Sequence, residues 1–263
     1  MTDRESLTVY GAATCEDTAI TRSRLEALGV PYRYVGIDED AGGAAEVARL
    51  NGRRVTPTIV RAAAGLIAEF DAEPAIERVD AFARATGAPI EPPRGRQLHG
   101  QVITRAIPFG TLERTGGGTF SLASLRGRRA GAVFFSHPPT CLACFGYAKQ
   151  LARETPSFDE ADADPIVVVR GSIEEAAAWT DELPAGTTLL ADPDAAWRRD
   201  VGRAIECPAD GVLLVVVDRF AAPRVVSAAT EAGGLAAPSE ATSWLQFVAL
   251  DCPECCGEIA WPD

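Results

Sequence analysis

The chain has 263 residues, of which 47% are apolar and 24% charged, with 25 basic against 37 acidic side chains and a formal charge of −12. That is material for one large or two ordinary domains, and it excludes a disordered or fibrous chain. So acidic a protein repels phosphate backbones, which excludes nucleic acid as a partner, and no apolar run is long enough to cross a bilayer, so no membrane role is expected. The sequence opens Met1-Thr2-Asp3-Arg4-Glu5, without the basic-then-apolar order of an export signal, so a cytoplasmic location is expected. In such a reducing compartment, seven cysteines predict catalysis or metal binding and not a disulfide frame. Two histidines, His99 and His137, and one lysine, Lys149, leave no room for chemistry that needs several of either.

In chain order, Leu7 to Tyr10 predicts a strand ending at Gly11, and Glu16 to Leu28 a helix stopped by Gly29. Pro31 to Ile37 predicts a second strand and Ala44 to Leu50 a second helix. Thr58 to Val60 and Leu66 to Ala68 predict a hairpin, and Glu73 to Ala85 a third helix. Cys15 falls between strand and helix, where free backbone N–H groups and the positive end of the helix dipole favour thiolate. Pro57, in Val55-Thr56-Pro57-Thr58, directly precedes a strand.

The stretches VYGAATCEDT, LEALGVPYRYVGIDED and LNGRRVTPTIV resemble the glutaredoxin family. The resemblance implies that Cys15 is a nucleophile and that Thr56 and Pro57 contact substrate backbone; a proline so placed is commonly cis in redox folds. Thr18 stands where a dithiol site has its second cysteine. A mixed disulfide at Cys15 therefore needs a low-molecular-weight thiol, such as glutathione or mycothiol, or a cysteine elsewhere in the chain.

Pro89, Pro92 and Pro93 mark a stiff connector, which divides the chain into a first domain over 1–88, a linker over 89–99 and a second domain over 100–263. Beyond it, strands are expected at Ala130 to Phe135, Pro165 to Val169, Thr187 to Leu190, Gly211 to Val217 and Arg224 to Val226. Helices are expected at Cys141 to Glu154, Ser172 to Leu183, Pro193 to Val201 and Ser239 to Leu250. The alternation predicts an α/β class, and Gly116-Gly117-Gly118 a turn.

Cys141-Leu142-Ala143-Cys144 lies between a buried strand and a helix, the thioredoxin-like redox signature. On a first helical turn this spacing brings both sulfurs within disulfide reach and exposes only the first, so Cys141 would attack and Cys144 resolve. The stretches FSLASLRGRRAGAVFFSHPPTCLAC, TTLLADPDAAWRRDVG and GVLLVVVDR resemble redoxins of the peroxiredoxin and thioredoxin-like reductase group. Together the two resemblances imply tandem thioredoxin-fold domains, each a mixed sheet flanked by helices, acting as a thiol–disulfide oxidoreductase on small thiols or protein disulfides, with peroxide as a further oxidant. The arginine that a peroxiredoxin brings to its site is missing near Val212, which favours dithiol exchange; Thr140 and His137 are the polar side chains at hand. The resemblance also implies that Cys207-Pro208 faces Cys141, with Pro208 against substrate backbone and Cys207 as a relay.

The tail Cys252-Pro253-Glu254-Cys255-Cys256 reads as a resolving arm. No bound cofactor is expected on this reading. The rival is a four-thiolate zinc site of Cys141, Cys144, Cys252 and Cys255 in a metal-binding or sensor protein. A third reading makes the first domain a binding platform without catalysis.

Overall fold

A computed structural model describes residues 7–61, 66–69, 76–85, 96–97 and 107–250. The expected connector prolines, His99 and the tail cysteines Cys252, Cys255 and Cys256 lie outside these.

The first half contains β1 (Leu7–Gly11), α1 (Glu16–Ala27), β2 (Tyr32–Gly36), α2 (Ala41–Asn51), β3 (Thr58–Arg61), β4 (Leu66–Glu69) and α3 (Ile76–Ala85). Its sheet has the order β2-β1-β3-β4, with β1 parallel to β2 and antiparallel to β3. Local chemistry fixes the helix ends. The Asp40 carboxylate accepts the Gly43 N–H at 3.0 Å to open α2, and Gly52, at φ 72°, closes it in the left-handed region that glycine adopts without strain. Glu16 and Asp17 in the first turn of α1 and Arg24 in its last turn suit the helix dipole.

The second half contains β5 (Arg96–Gln97), β6 (Leu112–Arg114), β7 (Thr119–Phe120), β8 (Ala130–Phe135), α4 (Leu142–Arg153), α5 (Thr155–Glu160), β9 (Ala163–Val169), α6 (Ile173–Ala177), β10 (Thr188–Ala191), α7 (Ala196–Ala204), β11 (Val212–Val217), β12 (Pro223–Ala229) and α8 (Pro238–Leu250). The sheet order is β5-β12-β11-β8-β9-β10-β6-β7. Strands β8, β9 and β10 run parallel, and β11 is antiparallel to β8 and β12. Every residue of β8 and of β11 is buried, as expected for central strands covered on both faces. Alternation along β8 divides the core. Ala132 and Phe134 face α4 and α8, whereas Val133 and Phe135 face α7.

Several expectations need correction. Arg96–Gln97, placed in the linker, pairs with Ala228 and Ser227 as an edge strand. The helix expected from Ser172 to Leu183 is two short pieces, α6 and a 3₁₀ turn at Thr180–Glu182. Ser172 and Glu175 form the capping box that opens α6, but Trp179 is drawn inward, its indole N–H donating to the Pro139 carbonyl at 3.3 Å. Helix α7 starts at Ala196 and not Pro193, because Asp192 accepts the N–H groups of Ala196 and Arg198 at 2.9 and 3.0 Å.

The two halves are docked. Helix α1 lies against α4, and Ile20 and Ile76 of the first half join the core cluster around α4. Burying side chains of this size contributes about 1.5–3 kcal/mol each. Glycine makes the close approach possible: a Cβ on Gly146 would fall 2.8 Å from the Glu16 carbonyl, and one on Gly233 2.3 Å from the Arg24 nitrogen. Buried Arg24 completes the joint. Its guanidinium bonds both Asp80 oxygens at 2.7 Å and donates to the Gly233 and Leu235 carbonyls at 2.8 Å. The Ile76 N–H donates to Gln150 at 3.1 Å, and Lys149 pairs with Glu16 at 2.5 Å. Among the described residues, no helix is long and apolar enough to cross a membrane.

Candidate redox sites

Cys15 and Cys141 occupy equivalent positions. Each follows a strand and is the N-cap of the next helix, in extended backbone and half-buried. Their surroundings differ.

At Cys15 the thiol donates to the Thr56 carbonyl at 3.7 Å, and Thr56–Pro57 is the one cis peptide bond among the described residues. Thr18 is buried against Gly11, where a Cβ would fall 2.2 Å from the threonine methyl. It fills the space one turn along α1 without offering a second sulfur.

At Cys141 three soft donors converge. His137, Cys141 and Cys144 place one ligand atom each within 4.8 Å of one another, and Cys141 Sγ lies 3.9 Å from His137 Nδ1. Strand β8 delivers the loop that carries His137, and α4 sets Cys144 one turn below Cys141. Cys144 is fully buried, and its sulfur accepts the His137 backbone N–H at 3.4 Å. The Cys141 thiol is pulled down to about 4. The largest cause is the hydrogen bond from Cys144; burial opposes it, and the His137 ring and the Cys144 backbone N–H reinforce it. The Cys144 thiol is pushed up, first by donating to Cys141 and then by burial. His137 is raised above its ordinary value by its bond to Cys141, against burial; Glu231 adds to the rise and Arg170 opposes it. The exposed Glu231 carboxylate reaches within 3.9 Å of His137 Nδ1. Cys141 is thus a stabilised thiolate, and Cys144 a protonated reserve.

Other expected site residues lie elsewhere. Cys207, expected beside Cys141, belongs to the core cluster on the α7 face, whereas Cys144 belongs to the α4 face. Cys207 follows α7 and packs with it, while Ala209, Asp210 and Gly211, just beyond Pro208, line a pocket together with His137. Pro208 likewise serves α7, its carbonyl accepting from Arg198 Nη2 at 2.9 Å. The turn at Glu231 also reaches His137, and no local motif marks it. Cys15 is not part of the His137-Cys141-Cys144 cluster. The start of α1 lies against Gly146, Lys149 and Arg153, in the later turns of α4, so Cys15 is displaced along α4 away from Cys141.

A helix-capping thiol on each of two thioredoxin-fold sheets, one of them in a dithiol, defines a thiol–disulfide oxidoreductase. The family models agree: residues 7–62 match Glutaredoxin and residues 103–214 match the AhpC/TSA family, so a glutaredoxin domain precedes a redoxin domain. No curated protein matches the sequence. Among solved structures, peroxidoxin BcpB from Mycobacterium tuberculosis is similar at 12% identity, covering 55% of this chain and 94% of that one, with a TM-score of 0.46. The 2-Cys peroxiredoxin of Plasmodium vivax is similar at 17% identity (55% and 80% covered, TM-score 0.45). A secreted M. tuberculosis disulfide oxidoreductase is similar at 16% identity (53% and 96% covered, TM-score 0.41).

Proposed function

We propose that the redoxin half exchanges disulfides through Cys141 and Cys144, with a protein disulfide or a small disulfide as substrate. The observation that supports this is the division of labour in the dithiol, a half-exposed thiolate above a buried thiol. Cys141 sulfur attacks one substrate sulfur, breaking the S–S bond and expelling the other as thiolate, which takes up a proton from solvent. Cys144 then loses its proton to the departing sulfur and attacks Cys141, leaving the Cys141–Cys144 disulfide and a fully reduced substrate. Two equivalents of a low-molecular-weight thiol, glutathione or mycothiol, would reduce the pair again in a cytoplasmic setting.

The AhpC/TSA match favours a second oxidant on the same pair. Cys141 thiolate would attack a peroxide oxygen, releasing alcohol or water and becoming a sulfenic acid, and Cys144 would condense with it to give disulfide and water.

Cys15 would form a mixed disulfide with a small thiol, with Thr56 and Pro57 flanking the adduct. Because Cys15 is displaced from Cys141, electrons passing between the domains would need a carrier, and the tail cysteines Cys252, Cys255 and Cys256 are the candidates. Single-turnover reduction of a mixed-disulfide substrate separates the steps: Cys144→Ser should accumulate a covalent adduct on Cys141, and release of product without such an adduct would refute the assignment.

A further inference from the structure

We propose that His137, Cys141 and Cys144 together bind one thiophilic cation of the zinc(II) class when the dithiol is reduced. This goes beyond disulfide exchange and differs from the rival four-thiolate set in being a compact one inside the redoxin half.

Three observations carry it. The first is distance. In a tetrahedral site with zinc–sulfur near 2.3 Å and zinc–nitrogen near 2.05 Å, sulfur and nitrogen are separated by about 3.5 Å. The Cys141 Sγ to His137 Nδ1 distance is 3.9 Å, and all three donors fall within 4.8 Å of one another, so small side-chain shifts close the site. The second is donor chemistry. Two thiolates and an imidazole are a borderline-soft set that suits zinc and disfavours calcium or magnesium. The third is the shell around them. The His137 backbone N–H already points at Cys144 sulfur, at 3.4 Å, as outer groups do around metal-bound thiolates. A fourth ligand is at hand in the Glu231 carboxylate, 3.9 Å from Nδ1, or in a water.

Binding displaces the Cys144 thiol proton, and the oxidation state of the sulfurs does not change. Arg170, which acts on His137 electrostatically, is the nearby cation that opposes it. Metal and disulfide exclude each other, since the same sulfurs cannot do both.

The test uses the full chain, reduced and stripped with chelator, titrated with cobalt(II) and then displaced by zinc(II). The expected result is one equivalent per chain with a sulfur-to-cobalt charge-transfer band. His137→Ala should weaken binding by roughly 100-fold or more, since outer-shell contacts alone are worth 10–100-fold, and Cys15→Ser should leave it unchanged. In the unaltered protein, zinc should protect Cys141 from alkylation, mapped by mass, while Cys15 stays reactive. This readout holds even if a Cys144 variant fails to fold. Absence of the charge-transfer band, unprotected Cys141, or binding that survives His137→Ala but is lost in Cys252→Ser/Cys255→Ser would overturn the proposal. None of these readouts involves turnover, so failure of the exchange mechanism and failure of the metal site are distinguishable.

Discussion

The Cys15 and Cys141 sites begin from the same local architecture, a strand, a short turn and a thiol capping a helix, and end with different neighbours. Cys15 meets a backbone carbonyl, an acceptor, and a buried threonine. Cys141 meets a thiol, an imidazole and a backbone N–H, all of them donors. Position at a helix start supplies part of the field that favours a thiolate. The donors around the sulfur supply the rest, and they arrive from the β8–α4 loop and from one turn along the helix. The pairing of roles follows: a self-contained dithiol in one half, a single thiol dependent on an outside partner in the other.

That contrast can be broken or sharpened by substitution. The largest effect is expected for Cys141→Ser, which should lower disulfide reduction by the order of 10³-fold or more, whereas Cys15→Ser should change the same assay less than about twofold; both are read as kcat/KM on a small disulfide. Equal losses would mean that the two thiols form one obligatory relay. Next is the joint between the halves. Arg24→Ala strands Asp80 and two carbonyls and should cost about 3–5 kcal/mol in denaturant unfolding, splitting one transition into two if the halves fold separately. A loss below 1 kcal/mol would show that the docking contributes little. Gly146→Ala pushes a Cβ against the Glu16 carbonyl and should cost about 1–3 kcal/mol without touching either sulfur. The smallest effect is expected for Ser172→Ala, which removes the cap of α6 and should cost about 1 kcal/mol with unchanged turnover.

How much of this was legible in the sequence depends on how local each feature is. The fully buried strands β8 and β11 are continuous apolar runs, and the thiol positions follow from a strand, a turn and a helix in immediate succession. Strands β5, β6 and β7, of two or three residues, are too short for an alternating pattern to register. Arg24–Asp80 and His137–Glu231 join residues far apart in the chain, and nothing in local composition marks either pair. Cys207 illustrates a different limit. Its place before β11 is readable, but the core cluster it joins depends on how α7 packs, which the sequence does not mark.

The thiolate at Cys141 is the claim on which the exchange mechanism stands. The most direct measurement is the pH dependence of Cys141 alkylation in reduced, chelator-treated protein, with each cysteine resolved by mass. A thiol lowered to about 4 stays ionised as pH falls toward that value and is protonated only below it, so the rate should be flat across neutrality and drop only in acid, below about pH 5. His137→Ala should move the drop to higher pH. A wild-type rate that instead climbs about tenfold per pH unit through neutrality, as an ordinary cysteine near pKa 8.5 does, would contradict it.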